Sequence, residues 1–513
     1  MPPKEKQTNS FQQLIDKLFT EAELNPVSVE EVLQLPSFYS KMKACEAYFN
    51  QPYAAIDQSM QDQVTLKRLQ QLTGICMLNP LWKQLLAEAG IETAPTSFDA
   101  WQQLPVQDKA SLSDFFSGSR PGMVVPLERG GFEIVASGGT SSGKPSETVY
   151  AIKELHTTYT IAGDFMGRYM LSNYLQEEGP KWMITTLADY QMWSSGTMVG
   201  GVLQNIPGVN YIGAGPVMKQ VYQHMMQYPG PKAIMGISQG IAYLKELGTG
   251  LGEDARNSLK IGMYGSGVLS QRKRKELQEL YPNIVFLSYF AATQAETIGL
   301  QLDHTYPFLA TIPGLHFVEI VDEHGRWVEE GEEGELVITR LHATEAPVLR
   351  FRLGDRMIRR SSINRDDLKT QQIEFAGRSG DVLHICDSQY PVKMVLQAVA
   401  AHLKTADIID IDTMAHDTQF VNLRHYKVLT LLIAVDEPYA VDAKLKSQYG
   451  LHGASYILVQ ALLQSLSIFN SGEANQAALE KTGYRFDIRF VVKNSPEIST
   501  TEVGKIPILK DVF

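Results

Sequence analysis

Nine consecutive residues, Ser137-Gly138-Gly139-Thr140-Ser141-Ser142-Gly143-Lys144-Pro145, carry three glycines, four hydroxyl side chains and one lysine. Glycines let backbone N–H groups turn toward an anion, and hydroxyls add further donors. A lysine supplies the charge that a polyphosphate needs. The stretch can therefore cradle phosphate, although the same composition also describes a flexible connection. It is not a Walker A loop, because Pro145 stands where Ser or Thr would hold magnesium. Near the other end of the chain, Lys505 lies in a loop pattern, Ser495 to Pro507. A lysine on a closing loop can stabilise charge that develops in a transition state; read alone, it is a solvated loop residue. Asp355 ends the stretch Leu349-Arg350-Phe351-Arg352-Leu353-Gly354-Asp355, and a carboxylate at a strand end can accept both hydroxyls of a ribose or simply form a turn.

These groups need elements to hold them. Phe132–Ala136 reads as a strand entering the glycine stretch, and 148–150 as the strand returning from it. Apolar runs at 182–186, 233–237, 260–265 and 284–287 each precede a turn or helix. That alternation predicts a layered α/β domain with ligands at the C-terminal ends of strands. Residues 1–10 read as disordered. Phe11, Leu14, Ile15 and Leu18 form one helical stripe, and helical patterns run to about residue 90, with Pro80 opening one of those helices. Strands at 318–322 and 334–339 surround turn-forming glycines, and the acidic run Glu329–Glu335 reads as a solvated turn. Residues 361–372 are polar and read as a connection. After them, strands at 426–435 and 486–492 and a helix at 456–469 predict a small second domain.

The chain has 513 residues, enough for two domains. A net charge of −11 excludes a dedicated nucleic-acid binder, whose footprint is basic. Cys45, Cys76 and Cys386 are scattered, without metal spacing or a disulfide framework, and point to a reducing compartment. The polar first residues do not make a signal peptide, and no apolar run approaches a membrane span, so a cytoplasmic location is expected.

Taken in order, the motifs resemble the signatures of the acyl-adenylate-forming superfamily, and its phenylacetate-CoA ligase branch in particular. The glycine stretch resembles the first signature, and Leu104-Pro105-Val106-Gln107-Asp108-Lys109-Ala110-Ser111-Leu112 resembles the run that precedes it. Tyr264-Gly265-Ser266-Gly267-Val268-Leu269-Ser270 resembles the loop bordering adenine. Phe290-Ala291-Ala292-Thr293-Gln294 resembles "Y-G-x-T-E", Arg352-Leu353-Gly354-Asp355 "R-T-G-D", and Gly377-Arg378-Ser379-Gly380-Asp381 "G-R-x-D-D". Glu502-Val503-Gly504-Lys505-Ile506 resembles the stretch carrying the family's catalytic lysine. The resemblance covers nearly the whole chain beyond the first hundred residues.

The resemblance implies a large N-terminal layered α/β domain (1–376) with a β-rich subdomain, and a small mobile C-terminal α+β domain (377–513) turning at Gly380. It implies activation of a carboxylic acid by ATP to an acyl-AMP, with release of pyrophosphate. ATP and AMP would be held by Ser137, Gly138, Gly139, Thr140, Ser141, Ser142, Gly143, Lys144, Gly265, Ser266, Gly267, Phe290, Thr293, Asp355 and Arg378. Tyr190, Trp193, Gly196, Tyr264 and Ala291 would line the acid pocket, whose aromatics suit an aromatic or short apolar acid. Lys505 would be catalytic. Gln294 stands where the family has its magnesium-binding Glu, and Glu296 is the alternative ligand. From local pattern alone, the 288–296 segment is a strand entering a helix capped by Thr293. The acyl acceptor would be the thiol of CoA or of a carrier protein, or an amine, since Asp387 replaces a glycine that lies beside the family's pantetheine channel. A homodimer is compatible with all of this. Two rivals from other classes stay open: a catalytically silent nucleotide-binding protein, motivated by Gln294, and a phosphotransferase using Gly143-Lys144.

Overall fold

A computed structural model describes residues 4–137, 146–190, 192–267, 269–378, 381–385, 388–466, 479, 482–501 and 505–512. The chain divides into two units. The first comprises 1–216, 229–234 and 287–376; the second comprises 217–228, 235–286 and 377–513.

The first unit opens with helices. Lys4–Leu18 is helical, so the expected disorder of the first ten residues is corrected from Lys4 onward; Phe11 and Ile15 from its apolar stripe are buried. Asn79 caps the helix Pro80–Glu88, its side-chain oxygen accepting the N–H groups of Leu81 and Trp82, and Pro80 occupies a first-turn position that lacks a hydrogen-bond partner anyway. The strands His316–Val321, Glu333–Arg340, Phe351–Asn364, Lys369–Arg378, Leu309–Thr311, Glu296–Leu300 and Val285–Ala292 lie side by side in that order. Trp182–Thr185 pairs in parallel with Asn210–Gly213. Of residues 361–372, expected as a connection, only 365–368 connect; 361–364 and 369–372 are the facing ends of the strands Phe351–Asn364 and Lys369–Arg378. Apart from buried Thr370, the polar residues of these strand ends sit on exposed or half-exposed positions, and polarity there marks a solvated sheet face.

The strand Phe132–Ser137 pairs antiparallel with Ser146–Ala151, from Phe132 opposite Ala151 to Ser137 opposite Ser146. The glycine stretch thus connects two paired antiparallel strands. Its residues 138–145 lie outside the described residues.

The second unit contains a mixed sheet in which Asp417–Leu423 runs between Val428–Val435, antiparallel, and Leu509–Val512, parallel. Arg485–Val492 adds in parallel to the far side of Val428–Val435. The helices Val392–Thr405 and Gly453–Leu466 contribute Val395, Val399, Ile457 and Leu462 to a buried apolar cluster with Phe420, Leu431 and Ile488. No helix among the described residues is long and apolar enough to cross a membrane. Cys45 and Cys76 are free and buried.

Candidate functional site

In the first unit, the hairpin stem fixes the root of the glycine loop against two other predicted motifs. The Tyr150 hydroxyl, fully buried, donates to the carbonyl of Thr293 at 2.7 Å. On the opposite strand, the Ala136 N–H donates to the carbonyl of Met192 at 2.9 Å. Met192 lies in a tight turn that Tyr190 and Trp193 close with mutual backbone hydrogen bonds of 2.9 and 2.8 Å. Tyr190 is 50% exposed at this turn, and Trp193 is half-buried. Gly196 follows in the first turn of the helix Ser195–Gln204. A Cβ there would lie 2.8 Å from the Asp189 backbone N, so only glycine lets the helix start so close to the turn.

Thr293 does not cap a helix. The Ala295 N–H donates to the carbonyl of Ala292, and the chain returns at once as the strand Glu296–Leu300. The tight reversal puts Glu296 at φ +46°, a conformation costly for a residue with a Cβ. Phe290 is half-buried with its ring centroid 6.0 Å from that of Phe375, the planes tilted by 40°. Phe375 is 40% exposed and gives a second aromatic face that the sequence motifs did not single out. Ala291 is exposed and Asp355 is buried on the strand Phe351–Asn364.

Gln294 and Glu296, the candidate metal ligands, are both buried. Glu296 belongs to a charged cluster in the protein interior. Arg340 pairs with Glu154 through two bonds of 2.9 Å, donates to the Val149 carbonyl at 3.0 Å, and lies over the Tyr150 ring at 3.9 Å. Burial, and then the nearby Glu154 carboxylate, push the Glu296 carboxyl up to about 8; burial also outweighs Arg340 at Glu154 and raises it to about 7. Glu154 takes the Arg340 guanidinium, and burial favours the protonated form of Glu296. Glu296 Oε1, Tyr159 Oη and Arg340 Nη1 are buried and have no hydrogen-bond partner among the described residues. A proton-bearing carboxyl beside an arginine does not fit a divalent cation, and Gln294 offers only a neutral amide. Among the described residues, no group of three His, Cys, Asp or Glu side chains could hold a metal.

The cluster predicts a pH dependence. The folded-state values of Glu296 and Glu154 lie above the ordinary 4.5. Their stability contribution is therefore full below about pH 4.5 and is lost as pH rises through about 7 to 8. Glu296→Gln, which mimics the protonated form, should flatten the fall of the unfolding temperature between pH 5 and 8, as read by thermal denaturation.

In the second unit, the strand Leu259–Gly265 delivers the loop of Ser266 and Gly267. Ser266 has φ +56° and Gly267 φ +143°, so the backbone turns outward where both residues are exposed. Tyr264 is buried and its hydroxyl is engaged by Arg274, whose guanidinium lies over the ring at 5.1 Å. Lys505 is half-buried, and its ammonium group is pulled down to about 8, first by burial and then by the positive charge of Arg378. The two cations predicted for nucleotide chemistry therefore sit close enough to repel each other. The Lys505 backbone is closed on Thr501, whose N–H donates to its carbonyl at 2.7 Å and whose hydroxyl accepts its N–H at 3.1 Å. Val268, Gly380 and Asp387 lie outside the described residues, as do 502–504.

Among solved structures, a 2-hydroxyisobutyryl-CoA ligase in the postadenylation state, in complex with R3-HIB-AMP, superposes with a TM-score of 0.65 over 89% of this chain and 91% of that one, at 16% identity. The fold is that of the acyl-CoA ligases. The same ligase with 2-HIB-AMP and CoA in its thioesterification state gives a TM-score of 0.53 over 90% of this chain and 91% of that one, at 17% identity. In sequence, a phenylacetate-coenzyme A ligase of Escherichia coli (strain K12) is 24% identical over 326 residues, which is 60% of this chain and 68% of that protein. No family model matches the chain. The resemblance to the adenylate-forming superfamily read from the motifs accords with both similarities.

Proposed function

We propose that this protein is an adenylate-forming acid–CoA ligase. A carboxylate oxygen of the acid attacks the α-phosphorus of ATP, pyrophosphate leaves, and an acyl-AMP forms; the thiol of CoA then attacks the acyl carbon and AMP leaves. The observation that carries this reading is the hairpin stem. Its hydrogen bonds through Tyr150 and Ala136 tie the root of the glycine loop to Thr293 and to the turn of Tyr190 and Trp193, three segments far apart in sequence whose motifs all point to one nucleotide and one acid.

In this reading the 138–145 loop and Lys144 hold the β- and γ-phosphates, and Phe290 with the 265–267 loop holds adenine, Phe375 adding a further ring face. Asp355 takes the ribose hydroxyls and Arg378 the ribose or phosphate. Lys505 stabilises the charge on the α-phosphate as the acid attacks. The chain works as a core, 1–376, and a lid, 377–513, turning at Gly380. Neither Gln294 nor Glu296 fits the carboxylate that a phosphate-bound magnesium would take. Tyr190, Trp193, Gly196, Tyr264 and Ala291 bound the acid pocket, and an aromatic or short apolar acid suits its rings. CoA is the acceptor preferred over a carrier-protein thiol or an amine, because the similar proteins are CoA ligases.

The test is exchange of labelled pyrophosphate into ATP with a panel of aromatic and short-chain acids, followed by addition of CoA. Acid-dependent exchange and thioester formation are expected. ATP binding without exchange on any acid would favour a silent nucleotide-binding protein instead.

The Lys505 value makes a second prediction. Lys505 works as the ammonium form, so adenylation should decline as pH rises through about 8. Arg378→Gln removes a neighbouring positive charge and should move that decline to higher pH, a shift read from the pH profile of the exchange rate.

A further inference from the structure

We infer that Gln419 is the residue that sets the position of Lys505. The inference rests on the catalytic reading of Lys505 proposed above. Gln419 lies in the strand Asp417–Leu423 and is completely buried. Its amide oxygen accepts the N–H of Ser499 at 2.8 Å. Its amide nitrogen donates to the carbonyls of Ser499 at 3.0 Å and Pro507 at 2.9 Å. Both amide protons are thereby spent on two backbone positions on either side of the lysine loop.

The sequence of the sheet explains why a side chain does this. Main-chain pairing with the last strand begins only where the Phe420 N–H donates to the Ile508 carbonyl, followed by Phe420 opposite Leu509. Upstream of that point the described residues 499–501 and 505–507 lie outside the ladder, and the Gln419 amide takes the place of the missing rung. On either side of the loop, Ile498 and Ile506 pack on a small cluster of Leu432, Ala434 and Val491, with Val421 beside them. Lys510 Nζ donates to Ser499 Oγ at 2.8 Å, and Thr501 closes on Lys505 as described. The apolar contacts hold the loop down, but they are non-directional. Gln419 is the group that fixes both ends in register, and a fully satisfied buried amide specifies one geometry where packing alone would allow several.

Three substitutions separate the possibilities. Gln419→Leu keeps the volume and removes all three bonds. Gln419→Asn keeps the amide and shortens its reach, and serves if the leucine variant fails to fold. Lys505→Ala reports whether the lysine is catalytic at all. With the acid found by the exchange panel, Gln419→Leu should lower kcat of pyrophosphate exchange by about 10²-fold, the scale of a misplacement near 1 Å. KM for ATP and thioester formation from added acyl-AMP and CoA should change little. In parallel, tryptic cleavage after Lys505, followed by mass spectrometry, should quicken about 10-fold or more, since proteolysis follows the open population.

Equal losses in both half-reactions would mean a merely structural role and overturn the inference. So would unchanged exchange in Gln419→Leu when Lys505→Ala is inactive. If Lys505→Ala keeps full exchange, the catalytic reading fails instead, and cleavage after Lys505 decides the positioning claim: an unchanged rate in the Gln419 variants overturns it.

Discussion

Lys505→Ala lowers acid-dependent pyrophosphate exchange by about 10²- to 10³-fold, the usual loss when one group aimed at developing transition-state charge is removed. ATP affinity, read by equilibrium binding, should change far less, because in the proposed reading Lys144 and the glycine loop would hold the polyphosphate in the ground state. The lysine is half-buried, and its ammonium is already destabilised by burial and by Arg378. In the proposed mechanism its interaction with the α-phosphate strengthens as negative charge grows there. An interaction stronger in the transition state than in the ground state is the kind that raises kcat. The alanine variant should keep its fold, since hydrogen bonds to the backbone of Ser499, Thr501 and Pro507 hold the loop.

Arg350→Met destabilises the first unit by about 3–5 kcal/mol, the cost of leaving one partner of a buried ion pair uncompensated. Arg350 is 1% exposed and its guanidinium faces Glu319, with Nη2 at 3.1 Å from one carboxylate oxygen. Its remaining N–H groups donate to the carbonyls of Gln102, Leu104 and Gly325. Glu319 also accepts the indole N–H groups of Trp101 and Trp327 at 3.1 and 2.8 Å. Removing the guanidinium strands a buried carboxylate and three carbonyls together. Thermal unfolding followed by circular dichroism should shift down by roughly 5–10 °C. Arg350→Lys should recover little, because a point ammonium cannot span the fork of acceptors. Nucleotide affinity should fall as well: the Gln107 N–H donates to the Arg350 carbonyl and Arg352 donates back to Gln107, on the strand that carries Asp355.

That strut shows what the sequence could and could not reveal. The motifs Leu104–Leu112 and Leu349–Asp355 were legible as patterns from the superfamily resemblance, but nothing in either says that Arg350 grips Gln102 and Leu104. A buried arginine has the same sequence signature as a solvated one. The strands entering and leaving the glycine stretch were legible because apolar residues flank a run rich in glycine. The hydrogen bond from Tyr150 to Thr293 was not, because it joins residues 143 apart in sequence. The helix expected after Thr293 failed for a related reason. A threonine before Gln-Ala-Glu reads as a cap, yet the buried pattern of Glu296–Leu300 is a strand, and pairing with Val285–Ala292 overrides the local preference. Polar character at 361–372 misled in the same way, where one face of a sheet carries the polarity. Gln419 gave no signal, since a glutamine in a strand reads as solvent-facing until the partner backbone is known.

The central claim is that the acid carboxylate attacks the α-phosphorus of ATP. Running one full turnover with acid labelled by 18O in its carboxylate, in the presence of ATP and CoA, tests it directly by mass spectrometry of the released nucleotide. The account predicts AMP carrying one 18O atom, with unlabelled pyrophosphate. Label in orthophosphate with ADP as the nucleotide product, as a phosphotransferase would give, would contradict it.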